Sequence, residues 1–331
     1  MKRVVTFGEM LLRLSPPRYE EFFASPTFTS NFGGCEANVA VGLAYLGVPA
    51  TYVTVLPNTP IGDAALAALR AEGVDTAHIV RAEGRLGVYF VELGTEERAT
   101  RVVYDRAHSA FAESRQPFVW DDVLSGASWF HGSGITAALG PGPATALKAA
   151  ADAARAARLP VSIDLNYRPA LWQDRVPRNI VEPIVRGIDL LIGNARAVRE
   201  MLAVDAGDDV TATADGALEL ARHLAAEFGV SRVALTRREM PSETRHRWSA
   251  SLYDATTEAF VQSRVYDVHV VDRVGGGDCF AAALIAALLN ERPLAQAVEF
   301  ATAAGALKLS VPGDFSRSTT AQVEQAMSEW K

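Results

Sequence analysis

The residues best suited to do chemistry are Gly275, Gly276, Gly277 and Asp278, which stand in a row inside Val271-Asp272-Arg273-Val274-Gly275-Gly276-Gly277-Asp278-Cys279-Phe280. Three successive glycines open backbone dihedrals closed to other residues and leave their amides uncovered. The apolar run Ala281 to Leu289 follows at once and reads as a helix. The glycines therefore occupy a helix N-terminus, where unsatisfied N–H groups and the positive end of the dipole favour an anion. A carboxylate in that place repels the anion, so Asp278 calls for a reason. Two reasons stay open at this level. Asp278 caps the helix, or it takes a proton from a hydroxyl while the amides hold the charge that develops on a transferred phosphoryl group.

Other segments carry candidate groups. Asp164-Leu165-Asn166-Tyr167-Arg168-Pro169-Ala170-Leu171-Trp172 lies just past the carboxyl end of a strand-like run, the edge at which open α/β sheets gather ligands. Its plain reading is a loop whose Arg168 is a surface charge. Gly33-Gly34 followed by Asn38 makes a second glycine turn opening a helix, and Asn38 could equally be satisfied within the core. Tyr89, Tyr104 and Arg106 fall in a hairpin, where tyrosines usually serve sheet packing. Pro312-Gly313-Asp314-Phe315 reads as an ordinary Pro-Gly turn.

The elements that must position these groups follow from periodicity. Arg3 to Phe7, Thr51 to Leu56, Trp129 to His131, Val161 to Leu165, Leu190 to Gly193 and Arg232 to Thr236 read as strands. Between them, Cys35 to Leu46, Ile61 to Glu72, Ala144 to Ala157 and Ala214 to Phe228 read as helices. Thr319-Thr320-Ala321-Gln322 is a capping box opening a last helix to Trp330. Alternating strands and helices predict a parallel sheet flanked by helices. Two stretches depart from that rhythm: residues 11–33, rich in aromatics and alternation, and residues 86–108, a β-hairpin around Gly94 to Glu97. Both read as inserted β segments of a lid. Pro241 to Trp248 is polar and reads as a mobile loop.

Bulk properties exclude several classes. A net charge of −7 over 331 residues argues against nucleic acid as a partner, and draws any anionic substrate to a local arginine cluster. No apolar run approaches a membrane span, and MKRVVTFGEM enters a strand without a signal-peptide plan, so a cytoplasmic protein is expected. The two cysteines, Cys35 and Cys279, lack metal-ligand spacing and suit a reducing compartment. Cys279, at a helix start, is expected to pack rather than react. Gly132-Ser133-Gly134-Ile135-Thr136-Ala137 fits a dinucleotide fingerprint, with Asp152 at about the right distance for a ribose contact. Pro141 and Pro143 are expected to delay its helix and deprive a pyrophosphate of its N-terminus. No G-x-x-x-x-G-K-[ST] string occurs.

The run DRVGGGDCFAAALIAALL resembles the C-terminal signature of the ribokinase-like (phosphofructokinase-B) sugar kinases. The string from Asp164 to Trp172 resembles, more narrowly, the 2-keto-3-deoxygluconate kinases within that superfamily. The resemblance extends from the first strand to Asp314. It implies an α/β, ribokinase-like three-layer sandwich with a mainly parallel central sheet and a small β-sheet lid, as one domain over residues 1–331. It implies ATP and Mg2+ as cofactors, Asp278 as base, and Gly275, Gly276 and Gly277 as its anion hole. Gly34, Asn38, Tyr89, Tyr104, Arg106, Arg168 and Asp314 match positions around the sugar acid. Asn194, Thr236 and Arg237 fall at the border of ATP, and Thr302 and Ala303 at the adenine slot. The arginines favour a carboxylate-bearing sugar over ribose or fructose, because a guanidinium fork holds both carboxylate oxygens. The implied reaction is phosphorylation of the 6-hydroxyl of 2-keto-3-deoxygluconate, with a neutral-sugar kinase or a non-catalytic sugar-acid sensor as the alternatives. One departure concerns the metal. Many members carry Asn-x-x-Glu, and here Asn194-Ala195-Arg196-Ala197 puts alanine at the glutamate, with Glu200 three residues on, so no metal ligand is assigned. Exposed lid edges and the habit of related kinases predict a homo-oligomer joined through the lid.

Overall fold

Four-residue runs with no polar face, such as Val4-Val5-Thr6-Phe7 and Leu190-Leu191-Ile192-Gly193, are buried on both sides and must lie between helical layers. The computed structural model describes residues 2–115, 118–172, 175–207 and 209–330, so Met1 and Lys331, the ends of the expected domain, lie outside the described residues. Its strands are β1 (Val4–Phe7), β2 (Leu11–Ser15), β3 (Thr29–Gly33), β4 (Ala50–Val53), β5 (Val55–Pro57), β6 (Val80–Ala82), β7 (Gly87–Glu92) and β8 (Arg101–Asp105). They continue as β9 (Trp129–Ser133), β10 (Val161–Asp164), β11 (Leu190–Gly193), β12 (Arg232–Glu239), β13 (Arg245–Asp254), β14 (Ala259–Gln262) and β15 (Tyr266–His269).

The central sheet runs β14-β13-β12-β11-β10-β9-β1-β4, with β15 also on β13. From β4 to β12 every pairing is parallel; β13 to β15 add an antiparallel edge. Alternate residues feed two separate cores, Val4 and Ala234 into one, Val5 and Val233 into the other. The first core is closed by the helices Cys35–Tyr45, Gly276–Leu289 and Leu294–Leu309, the second by Pro141–Ala156, Pro177–Val185, Ala195–Leu202 and Ala214–Phe228. The result is the expected α/β three-layer arrangement. A helix apolar on all sides belongs in the middle of such a layer, and Gly276–Leu289 is buried along nearly its whole length.

The segments 11–33 and 86–108 supply a separate four-stranded sheet, β3-β2-β7-β8. Three expectations need correction. The strand foreseen over Thr51 to Leu56 breaks at Thr54: β4 stays in the central sheet, while β5 leaves it to pair with β6. Pro241 to Trp248 is no loop throughout, because β13 begins at Arg245 and buries His246 and Trp248 while exposing Arg245 and Arg247. The fingerprint at Gly132 does open a helix, Gly134–Ala138, capped by Ser133, and the prolines start a second one, Pro141–Ala156. Among the described residues, no helix is long and apolar enough to cross a membrane.

Candidate active site

Parallel strands end on one edge, and Asp278, Asn38, Arg168 and Tyr104 of the groups singled out above come together there. Gly275 precedes the helix Gly276–Leu289 with φ 81°, and a β-carbon on it would overlap the Asp314 carbonyl oxygen, so only glycine fits. A β-carbon on Gly277 would meet open space. The amides of Gly275, Gly276, Gly277 and Asp278 have no hydrogen-bond partner among the described residues. They form an uncovered row of donors at a helix start.

Asp278 lies on the first turn, 8% exposed. Its carboxylate does not cap its own helix. Oδ2 accepts from Asn38 Nδ2 at 2.7 Å; Oδ1 accepts from Cys35 Sγ at 3.0 Å and Asn166 Nδ2 at 3.4 Å. Asn38 reaches it because the helix Cys35–Tyr45 starts at Gly34, whose amide is bonded to Asn38 Oδ1 at 3.3 Å. A β-carbon on Gly34 would overlap the Glu9 carbonyl oxygen. Asp164 ends β10 beside this group. Burial, then the charge of Asp278, raises its carboxyl to about 7. Burial first, and the neighbouring carboxylates after it, hold the Cys35 thiol well above its usual range, so it keeps its proton.

Arg168 enters the same space from beyond β10. It is solvent-accessible yet surrounded by protein, as a side chain in a cleft must be, and Tyr104, Asp278 and Asp164 lie near enough to act on its charge. Among the described residues it forms no ion pair, and its one hydrogen bond goes to its neighbour's carbonyl, Tyr167 O, at 3.1 Å.

The pfkB family carbohydrate kinase model matches residues 1–321. This chain is a member of that family. It is 40% identical to the crystal structure of 2-dehydro-3-deoxygluconokinase from Thermotoga maritima, covering 99% of this chain and 98% of that one with a TM-score of 0.95. Among curated relatives it is 32% identical to 2-dehydro-3-deoxygalactonokinase of Haloferax volcanii, over 98% of this chain and 96% of the relative. It is 28% identical to 2-dehydro-3-deoxygluconokinase of Bacillus subtilis, over 94% and 90%.

On the small-sheet side of the kinase the expected sugar contacts are already engaged. Tyr89 stacks on Tyr104 with ring centroids 5.8 Å apart, and its hydroxyl donates to Asp314 Oδ1. Asp314 is buried and also pairs with Arg13 of β2 at 3.2 Å; Arg13 pairs in turn with Asp272 at 2.7 Å. Asp272 accepts from the amides of Val274 and Gly313, both at 3.0 Å, fixing the two ends of the glycine turn's surroundings. Lys308, fully buried, completes this group; burial pulls its ammonium down against the attraction of Asp272 and Asp314. Arg106 is buried with its guanidinium on Glu9, which Ser109 also bonds. Tyr104 alone among Tyr89, Tyr104, Arg106 and Asp314 remains half-buried at the cleft.

The expected nucleotide contacts divide. Asn194 is exposed at the end of β11 and caps the next helix through Ala197 N at 2.9 Å. Thr236 is part-buried, its hydroxyl on Gly193 O at 3.3 Å. Arg237 points to the second helical layer, pairs with Glu239 at 2.8 Å and lines a pocket of about 150 Å³ with Thr211, Ser249 and Gln262. Its neighbour Arg238 faces the first layer, near Arg168 and Arg273; burial and those two charges lower its guanidinium to about 10. Thr302 and Ala303 are not brought to a cleft at all. Both are fully buried, and the Thr302 hydroxyl is spent on Val298 O at 2.7 Å.

Cys35 Sγ and one oxygen each of Asp164 and Asp278 lie within 4.8 Å of one another. A thiol that keeps its proton is a poor ligand for a hard cation that demands oxygen. No resident metal is assigned there. Ala197, at the glutamate position of the expected Asn-x-x-Glu element, is buried, and Glu200 pairs with Arg199 at 3.3 Å. Gly132 and Gly134 serve packing, against Leu147 and against the Leu165 carbonyl with Met201, and Ser133 and Thr136 donate to Glu36 at 2.6 and 2.8 Å. Asp152 is half-exposed between Lys148 and Arg155. Burial pushes the Cys279 thiol up to about 11, and it donates to Ala304 O at 3.2 Å, consistent with packing.

Cys35, Asp164, Asn166, Glu9, Arg13 and Arg238 belong to the site or its frame without having been singled out. One signal was available for two of them: Asp164 and Asn166 stand in the same strand-end string as Arg168.

Proposed function

We propose that this kinase transfers the γ-phosphoryl group of ATP, delivered as its Mg2+ complex, to the 6-hydroxyl of 2-keto-3-deoxygluconate. The observation that carries the reading is the pairing of a carboxylate that leaves its own helix uncapped with four amides that have no partner among the described residues. Asp278 takes the hydroxyl proton as the oxygen attacks the γ-phosphorus in line. The amides of Gly275, Gly276 and Gly277 stabilise the charge on the equatorial oxygens, and ADP departs. The small sheet closes the cleft against water, the competing acceptor. Arg168, open and without an ion pair among the described residues, receives the sugar-acid carboxylate. Mg2+, when bound with the nucleotide, would lower the negative charge that the attacking oxygen meets.

The Thermotoga maritima relative's name supports the gluconate substrate; the Haloferax volcanii relative supports its galactonate epimer as a second reading. A coupled ADP-release assay across both epimers, fructose and ribose tests the proposal. The sugar acids are expected to turn over far faster than the neutral sugars, and a preference for fructose or ribose would overturn the arginine argument. Sugar-acid binding with no ADP release would instead make the protein a sensor. We further propose self-association through the free edges of β3 and β8, which sedimentation would detect and edge-strand lysines would abolish.

A further inference from the structure

We propose that Cys35 and Asn166 are positioning residues that fill one oxygen of the Asp278 carboxylate and leave the other to take the substrate proton. The proposal rests on Asp278 being the base. An ionised carboxylate offers roughly four lone-pair sites, two on each oxygen. Oδ1 accepts from the Cys35 thiol at 3.0 Å and shares one Asn166 N–H with Asp164 Oδ2, at 3.4 and 3.3 Å, so both of its sites are engaged. Among the described residues Oδ2 accepts only from Asn38 Nδ2 at 2.7 Å, so one site stays open. The hydroxyl's O–H bond breaks toward Oδ2, its oxygen bonds to the γ-phosphorus, and the bond to the bridging oxygen breaks with its electron pair leaving on ADP.

Asn166 governs the thiol as well. Its Nδ2 lies 2.7 Å from Cys35 Sγ, so an N–H meets a sulfur lone pair and the S–H is left to turn toward Asp278. The backbone at Asn166 adopts φ 42°, a left-handed conformation that asparagine tolerates better than most residues and that costs energy. Asp164 holds it there, accepting from its amide at 3.0 Å and its side chain at 3.3 Å. The charged and titratable groups facing Asp278 are Glu36 and Cys35 on one helix, Asp164 and Arg168 at and after β10, and Cys279 on its own helix. A neutral thiol adds a donor to that crowd of carboxylates without adding a charge.

The S–H stretching band, which falls in a spectral window free of other protein absorption, reads this bond without turnover. Cys279→Ala assigns the two bands. Asp278→Asn is expected to move the Cys35 band to higher frequency and leave the Cys279 band in place. In steady-state kinetics Asn166→Ala is expected to lower kcat about 10–100-fold and Cys35→Ala about 2–10-fold, the thiol being the weaker donor. KM for the sugar acid should stay within about twofold, and Cys35→Ser, which keeps a donor, should recover most of kcat. A Cys35 band indifferent to Asp278→Asn in an active kinase, or losses that appear in KM alone, would sink this proposal by itself. A wild-type enzyme that phosphorylates no sugar would sink the reading of Asp278 as base, and this proposal with it.

Discussion

The two walls of the cleft handle polar groups in opposite ways. On the wall formed by the small sheet and the C-terminal turn, donors and acceptors are spent on one another: Arg13 on Asp272 and Asp314, Tyr89 on Asp314, Arg106 on Glu9. On the wall formed by the glycine turn, four amides lack partners among the described residues, Asp278 keeps a lone pair open, and Arg168 has only a neighbouring carbonyl. A buried polar group that is fully paired resists disturbance, whereas one with unfilled capacity is costly unless a ligand completes it. The contrast separates residues that hold the cleft in shape from residues that meet what enters it.

The sharpest way to break that contrast is to remove one group from each wall. Asp278→Asn keeps the shape and loses the base; turnover is expected to fall by about 10²–10⁴-fold with sugar-acid binding retained. Paired rate and calorimetric binding measurements check it, and near-normal turnover would demote the residue to structure. Arg13→Leu attacks the paired wall instead. It leaves Asp272 and Asp314 buried without their shared cation, at a cost of about 3–5 kcal/mol in unfolding free energy. Denaturant unfolding reads that loss, and a change below roughly 1 kcal/mol would mean that Lys308 suffices to hold both carboxylates.

The same contrast explains what could be read from the chain before its fold was known. Strands buried on both faces, such as Val161–Asp164, announce themselves as short apolar runs, and the glycine triplet has few uses other than an unusual backbone. The fold class was therefore legible, as was the neighbourhood of Asp278. Partnership was not. Arg13 and Asp314 stand 301 positions apart, so nothing local says that each neutralises the other. Arg106 likewise looks like a free cation until Glu9 is seen on its guanidinium. Thr302 and Ala303 look available on a helix whose burial only the packed layers reveal. β13 was missed although Arg245-His246-Arg247-Trp248 alternates exposed and buried, because three basic residues in four masked the period of two.

Glu36 offers a test of a subtler kind. It lies behind the open wall, fully buried, and burial raises its carboxyl from 4.5 to about 7 despite the hydroxyls of Ser133 and Thr136. A carboxyl whose folded value is raised adds stability that is complete below its unfolded value and is lost as pH rises through the folded one. Both hydroxyls donate to Oε1, which glutamine retains. Glu36→Gln should therefore equal wild type near about pH 4 and exceed its stability by on the order of 3 kcal/mol near about pH 8. Unfolding curves across that interval check the sign; a difference that shrinks toward alkaline pH would show that the native carboxylate is held by more than these two hydroxyls.

The smallest expected effect separates the two arginines that looked alike in sequence. If the open wall meets the ligand, Arg168→Ala should weaken the sugar acid about 10–50-fold, cost little stability, and leave a neutral sugar's already poor KM almost unchanged. Arg106→Ala should do the reverse. It strands Glu9 in a buried site, so its first sign is a lowered melting temperature, of the same kind as the Arg13 loss, with KM following only as the small sheet shifts. Measuring KM for sugar acid and neutral sugar beside thermal unfolding for both variants distinguishes the cases. Equal losses of sugar-acid affinity at unchanged stability would mean that Arg106 leaves Glu9 for the substrate, and that the paired wall opens when the cleft fills.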